Sequence, residues 1–190
     1  MLVGSPPCTA WSIIQNLNAR TAEGRSKLES AKKRALVHLQ FCAAMYREQM
    51  RGGRYFLHEH PDSASSWTDE QCIKNMHEIK GVATVVTDQY KFGQQSREGN
   101  LVKKSTRWMS NCPDILQAFD RRCTGRGGVC SKTHTHHQQC NGRTAKEAAI
   151  YPFANHLDNR LRHTSPDNSR SHAGLDLKKW SKTKRASHLF

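Results

Sequence analysis

An α/β fold is predicted for this chain of 190 residues by two alternating periodicities and by the residues that separate them. Apolar side chains recur at three- and four-residue spacing over residues 26–50, the signature of a helix with one buried face. Short runs rich in β-branched and aromatic residues at 54–60, 83–87 and 105–111 carry strand character, each bounded by Gly, Pro, Asn or Asp. Helices alternating with short strands point to an open sheet with helices packed on it. The elements amount to half of a doubly wound domain.

Taken in order, residues 2–4 read as the end of a buried strand. Ser5-Pro6-Pro7-Cys8 follows as a stiff extended loop rather than a helix start, because each proline fixes φ and removes an amide donor. Along the first long helix Leu28, Ala31, Ala35, Leu39, Cys42 and Tyr46 form the apolar stripe, with Lys32, Lys33, Arg47 and Glu48 off it. Gly52-Gly53 is its stop. A strand over 54–60 ends at Pro61. Thr68 and Gln71 have the spacing of a capping box, which predicts a helix over 68–79. Residues 83–87 read as a buried strand, 91–104 as a polar loop and 105–111 as a further strand. Pro113 then opens a short helix with Ile115, Leu116 and Phe119 on one side. Thr144 and Glu147 predict another capped helix start, running toward Tyr151 and Phe153 with Pro152 breaking it.

Composition narrows the function classes. Apolar content is 36% and formal charge +14, with pI about 9.8 and mean hydropathy −0.79. This basic balance favours a polyanionic partner, since neutralising phosphates with Lys and Arg drives nucleic-acid binding. A solvated basic surface has the same composition. No run reaches the roughly 18 apolar residues that span a bilayer, and the first residues lack a secretion signal. Seven cysteines, an odd number, argue for reduced thiols in an intracellular compartment, nuclear or cytoplasmic, and against a secreted disulfide framework.

The stretch that carries chemistry is Gly4-Ser5-Pro6-Pro7-Cys8-Thr9-Ala10-Trp11-Ser12. It resembles the catalytic loop of the cytosine-5 DNA methyltransferases, where a Pro-Cys pair presents a nucleophilic thiolate. Thr9 and Trp11 stand where that family has Gln and Phe. Phe56-Leu57-His58-Glu59-His60-Pro61 resembles the family's strand ending in Glu-Asn-Val, with His60 in place of Asn. Lys104-Ser105-Thr106-Arg107-Trp108-Met109-Ser110-Asn111 resembles a later strand with a Gln-x-Arg-x-Arg pattern, with one of its two arginines. The pieces occur in family order over roughly residues 2–120. The variant with Glu-His-Pro and a later Cys/His cluster is also similar to methyltransferase-like segments of retroelement (retrotransposon) polyproteins.

The resemblance implies that Cys8 adds to carbon 6 of cytosine. It implies that Glu59 grips the ring nitrogen and exocyclic amine of an extruded base, and that Arg107 supports the base. Each residue also has a plainer structural reading: Cys8 as a small packed thiol, Glu59 as the partner of His58 or His60, Arg107 as a strand-surface charge. Trp11 is either a stacking wall for the base or a core aromatic. Lys103 and Lys104 suit phosphates. S-adenosylmethionine is the implied cofactor. Because the matched pieces start at the catalytic loop, the expected fold is a partial, N-terminally truncated Rossmann-like methyltransferase sheet. The cofactor-binding half would be absent or supplied by another chain or polyprotein region, and the isolated chain would be inactive.

Two further regions complete the division of the chain into residues 1–120, 121–162 and 163–190. The middle one holds Cys123, Cys130, His134, His136, His137 and Cys140. Cys123, Cys130, His134, His136 and Cys140 offer zinc ligands, although no C-x-x-C pair is present, and a flexible His-rich loop fits equally. The last is a disordered basic tail with Lys178, Lys179, Lys182, Lys184 and Arg185 around Trp180, a nuclear-localisation or nucleic-acid patch or a solubilising end. Two functions result: a DNA cytosine-5 methyltransferase-like fragment, or a non-catalytic basic nucleic-acid-binding segment.

Overall fold

The computed structural model describes residues 1–70 and 73–149. The basic cluster at 178–185, the segment beyond Ala149 and Gln71 therefore lie outside the described residues. Two compact units are present, Met1–Thr87 with Ser105–Asp120, and Asp88–Lys104 with the described residues from Arg121 onward.

The first unit is built on an open mixed sheet with strand order β1-β2-β4-β3, an α/β arrangement. β1 (Leu2–Gly4) runs parallel to β2 (Phe56–Pro61), with Gly4 opposite His58. A parallel pair needs a long crossover. Here it is α1 (Gln15–Asn18) followed by the 30-residue α2 (Ala22–Arg51). β4 (Ser105–Ser110) is antiparallel to β2, and β3 (Ala83–Asp88) takes the edge beside β4. Among the described residues no helix is long and apolar enough to cross a membrane.

The register of β2 on β4 sorts side chains onto two faces, because successive residues of a strand point to opposite sides. Phe56, His58 and His60 share a face with Met109 and Arg107, whereas Leu57 and Glu59 share the other with Ser110 and Trp108. α2 covers the first face through Ala35, Leu39, Ala43 and Tyr46, all buried. Burying a side chain like Leu39 stabilises by about 1.5–3 kcal/mol. Tyr46 stacks on Phe56 with ring centroids 4.5 Å apart. On the second face Trp108 stacks at 4.2 Å on Phe119 of α4 (Pro113–Phe119), which begins at a proline as expected.

Several local expectations need correction. α2 starts at Ala22 rather than at 26, because the Thr21 hydroxyl accepts a hydrogen bond from the Gly24 amide at 3.0 Å. That cap satisfies one of the helix's orphan donors before the apolar stripe begins. Its end agrees with the glycine signal: Gly53 sits at φ 64°, in the left-handed region that glycine adopts without strain.

Residues 68–79 are not one helix. Ser65–Thr68 form a 3₁₀ turn that seats Trp67 in the core, its indole donating to the Pro61 carbonyl at 2.8 Å. Asp69 is then extended, and among the described residues α3 spans Ile73–His77. β3 is an edge strand with its first two residues exposed, not a buried strand. In the second unit α5 spans Gly142–Glu147 with Asn141 at its N-terminal boundary and no side-chain cap there, so Thr144 and Glu147 lie inside it, and Glu147 pairs instead with Arg143 at 3.3 Å.

Gly4 is fixed by a close approach. A Cβ there would lie 1.8 Å from the Tyr46 hydroxyl oxygen, and Tyr46 is fully buried. Gly4→Ala is expected to cost about 1–3 kcal/mol, as overpacking of a filled core does. Urea unfolding should show a lower midpoint at constant slope. An unchanged midpoint would mean that the ring moves aside freely.

Candidate functional site

The loop after β1 continues alongside the end of β2 and is fastened to it twice. The Ser5 hydroxyl donates to the Glu59 carboxylate. His60 Nε2 donates to the Pro6 carbonyl at 3.0 Å, while His60 Nδ1 and the Ser66 hydroxyl share a 2.6 Å hydrogen bond. Glu59 and His60 are both buried. Because they alternate along the strand, one side chain reaches the loop from each face of the sheet. Pro6 and Pro7 lead to Cys8, whose backbone is helical (φ −96°, ψ −6°) and caps a 3₁₀ turn over Thr9–Trp11. The Trp11 amide donates to the Cys8 carbonyl at 3.0 Å. The loop is thus extended only to Pro7, and the thiol is presented where extended chain becomes a turn.

Glu59 and the Cys8 loop are brought together; Arg107 is not part of that pairing. It stands opposite His60, on the other face from Glu59. Its Nε and a terminal nitrogen donate to Asp62 Oδ1 at 2.9 and 2.8 Å, and its guanidinium lies 5.3 Å from the centre of the Trp67 ring. Trp11 is buried in the core against α2, which is the plainer of its two readings. Lys103 lies 4.0 Å from Asp88, and Lys104 Nζ donates to the Ala148 carbonyl at 3.1 Å, so the second unit engages both lysines.

A groove of about 720 Å³ borders the loop beside Cys8. Pro7, Thr9, Gln15 and Asn18 line it with Arg34 and His38 of α2, and no acidic residue does.

His58 lies behind the loop. Its Nδ1 shares a 2.8 Å hydrogen bond with the Tyr46 hydroxyl, and its ring packs 5.3 Å from both His60 and Trp67. Its Nε2 is buried without a partner. Burial, and secondarily the neighbouring His60, holds the imidazole well below its ordinary pKa.

The second unit gathers a different set of groups. Cys123 Sγ, Cys130 Sγ and a ring nitrogen of His137 all lie within 4.8 Å of one another, and the cluster can hold a metal ion. Of the zinc ligands expected from sequence, Cys123 and Cys130 belong to it. His134 and His136 are exposed, and Cys140, half-buried, is outside the cluster. The imidazole is supplied by His137, which no finger-type spacing singled out among three closely spaced histidines.

The reason for that choice lies in the local hairpin. Val129 bridges His136, the Cys130 amide donates to the Thr135 carbonyl at 2.8 Å, and the His137 amide donates to the Gly128 carbonyl at 2.9 Å. Tyr90, on a 3₁₀ turn over Gln89–Phe92, places its hydroxyl 3.5 Å from Cys130 Sγ. Hydrogen bonding with Tyr90, ahead of opposing burial, brings the Cys130 thiol down to about 5. For Cys123 burial pushes upward, but Tyr90 and the amides of Ser131 and Gly125 outweigh it and bring the thiol to about 7.

Comparison of the chain with family models, with curated proteins and with solved structures finds no match in any of the three.

The buried His58 has a measurable consequence. Its pKa is lower folded than the ordinary 6.5, so below that pH the unfolded chain binds more protons and stability falls. The loss approaches about 1.4 kcal/mol per pH unit for one proton. Urea unfolding of the wild-type chain and of His58→Gln between pH 7.5 and 5.5 checks this. The wild type should lose stability more steeply on acidification, and parallel curves would remove His58 as the cause.

Proposed function

We propose that the chain is a cytosine-capturing segment of the cytosine-5 DNA methyltransferase type, with DNA as its partner. The observation that carries this reading is the Ser5–Glu59 hydrogen bond, which ties the Pro-Pro-Cys loop to the strand-end carboxyl. In this reading the sheet is part of a methyltransferase-type doubly wound sheet. The Cys8 thiol gives its proton to solvent, and the resulting thiolate uses an electron pair to form a bond to C6 of an extruded cytosine. The C5–C6 π electrons shift toward C4, and those of the C4–N3 double bond move to N3. There they take the proton of the Glu59 carboxylic acid, which is left as carboxylate. The groove beside Cys8, bordered by Arg34 and His38 without acidic groups, supports a neighbouring phosphate.

Arg107 is ion-paired with Asp62 on the face opposite Glu59, so the step written here draws on Cys8 and Glu59 alone. The described residues also do not fit S-adenosylmethionine. None of the described strands enters a Gly-rich turn that opens a helix: β1 leads to two prolines, and β2 and β3 lead to 3₁₀ turns. The reading therefore covers base capture and thiolate addition. The engagement of Arg107 favours a second reading, a basic nucleic-acid-binding segment of a mobile-element polyprotein that does no chemistry.

Incubation with duplex DNA carrying a cytosine analogue with nitrogen at ring position 5 separates the two. The wild-type chain should give a denaturation-resistant protein–DNA adduct, and Cys8→Ser should give none while retaining salt-dependent binding. Binding without adduct in the wild type would leave the non-catalytic reading. An adduct that survives Cys8→Ser would place the nucleophile elsewhere.

A further inference from the structure

The cluster in the second unit carries an inference of its own, independent of the reading of Cys8. We propose that Cys123 Sγ, Cys130 Sγ and His137 Nε2 bind one zinc ion that holds the segment from Arg121 to Cys140 in its fold. Four observations support this assignment.

The first is the donor set. Two sulfurs and one imidazole within 4.8 Å of one another match the ligand chemistry of zinc sites, and thiolates disfavour magnesium and calcium. Tetrahedral bonds of about 2.0–2.3 Å to one ion set donors roughly 3.5–3.8 Å apart, so the three would close up by at most about an ångström, within reach of side-chain rotation.

The second is the imidazole. His137 Nδ1 lies 2.9 Å from the Gly128 carbonyl, which can only accept, so Nδ1 carries the proton. That leaves the Nε2 lone pair for a ligand, and Nε2 is buried with no hydrogen-bond partner. An orphaned buried acceptor is costly in a protein interior, and a bound cation removes the cost. A backbone carbonyl on the far ring nitrogen is also the usual way in which a metal-binding histidine is oriented.

The third concerns the sulfurs. Cys123 Sγ accepts amide hydrogen bonds from Gly125 at 3.4 Å and from Ser131 at 3.5 Å, and Cys130 Sγ accepts one from Lys132 at 3.4 Å. Each thiol thus receives the amide two residues onward. These donors stabilise sulfur as thiolate, the form that binds metal. Any proton still on sulfur passes to solvent as the ion binds.

The fourth is the shortage of other support. Among the described residues the β-pairing around the cluster is one bridged hairpin, Val129 to His136, and an isolated bridge from Val102 to Gln138. Of the described residues beyond Arg121, only Cys130 and Ala148 are buried apolar groups. A segment with so little core gains stability from a metal centre in the way that small metal-binding domains do.

The test uses the full chain. Zinc is removed with a strong chelator and returned under reducing conditions, and bound zinc is measured by elemental mass spectrometry after dialysis. Cobalt in place of zinc reports sulfur ligation through its thiolate charge-transfer absorption. One zinc per chain is expected, with thiolate absorption from the cobalt form. His137→Gln should weaken binding at least ~10-fold, the lower end of what even outer-shell changes cost. His134→Gln and His136→Gln should leave it unchanged. Failure of the wild-type chain to retain zinc would overturn the proposal whatever the variants do. Equal weakening by all three histidine variants would overturn the assignment of His137.

Discussion

The strand end at Glu59-His60 is the constraint on which the first unit's site depends. Two consecutive buried side chains leave β2 on opposite faces, and each hydrogen-bonds the same short loop, at Ser5 and at Pro6. Both bonds span more than fifty residues of sequence, so they form only when β1 lies beside β2. Proline at 6 and 7 removes amide donors from the loop, which leaves side chains of the neighbouring strand to hold it. The thiol of Cys8 is therefore positioned by the sheet, and the sheet by α2, whose Tyr46 fills the space above Gly4.

The elements with strong periodicity were legible in the sequence. The apolar stripe through Ala35, Leu39 and Tyr46 is the face that α2 buries, and Pro113 and Gly53 mark boundaries where expected. The misreadings have local causes. The Thr68–Gln71 spacing suggested a helix, but Trp67 gains more by burial in the core, and the chain turns to put it there. Thr21 carries no signal in the sequence, because the Glu23, Arg25 and Ser26 that follow it form no apolar pattern to announce a cap. β3's opening residues, Ala83 and Thr84, carry no large apolar side chain to bury and are exposed at the edge.

The sites show a sharper division. Ser5, Glu59 and Cys8 belong to motifs quoted from the chain itself, and the sheet brings two of those motifs together. Arg107 shows what a motif cannot convey: one residue of register decides the face of a sheet on which a side chain stands. His137 teaches the converse. Three histidines within four positions are equivalent in composition, and only the hairpin bridge between Val129 and His136 selects which one meets the sulfurs. Tyr90, distant in sequence and carried on an unremarkable turn, had no signal at all.

The strand order has a consequence for how the first unit assembles. β3 precedes β4 in the chain, yet β4 lies between β2 and β3 in the sheet. During synthesis β3 therefore leaves the ribosome before β4, its neighbour among the described strands, exists. The Asp88–Lys104 segment, which belongs to the other unit, must also be made before that neighbour follows. Over that interval the Val85-Val86 stretch is an unpaired edge, the kind of surface that recruits strands from other chains. The last step in closing the sheet is thus an insertion, and the time spent waiting for β4 is when the nascent chain is most exposed to misassembly.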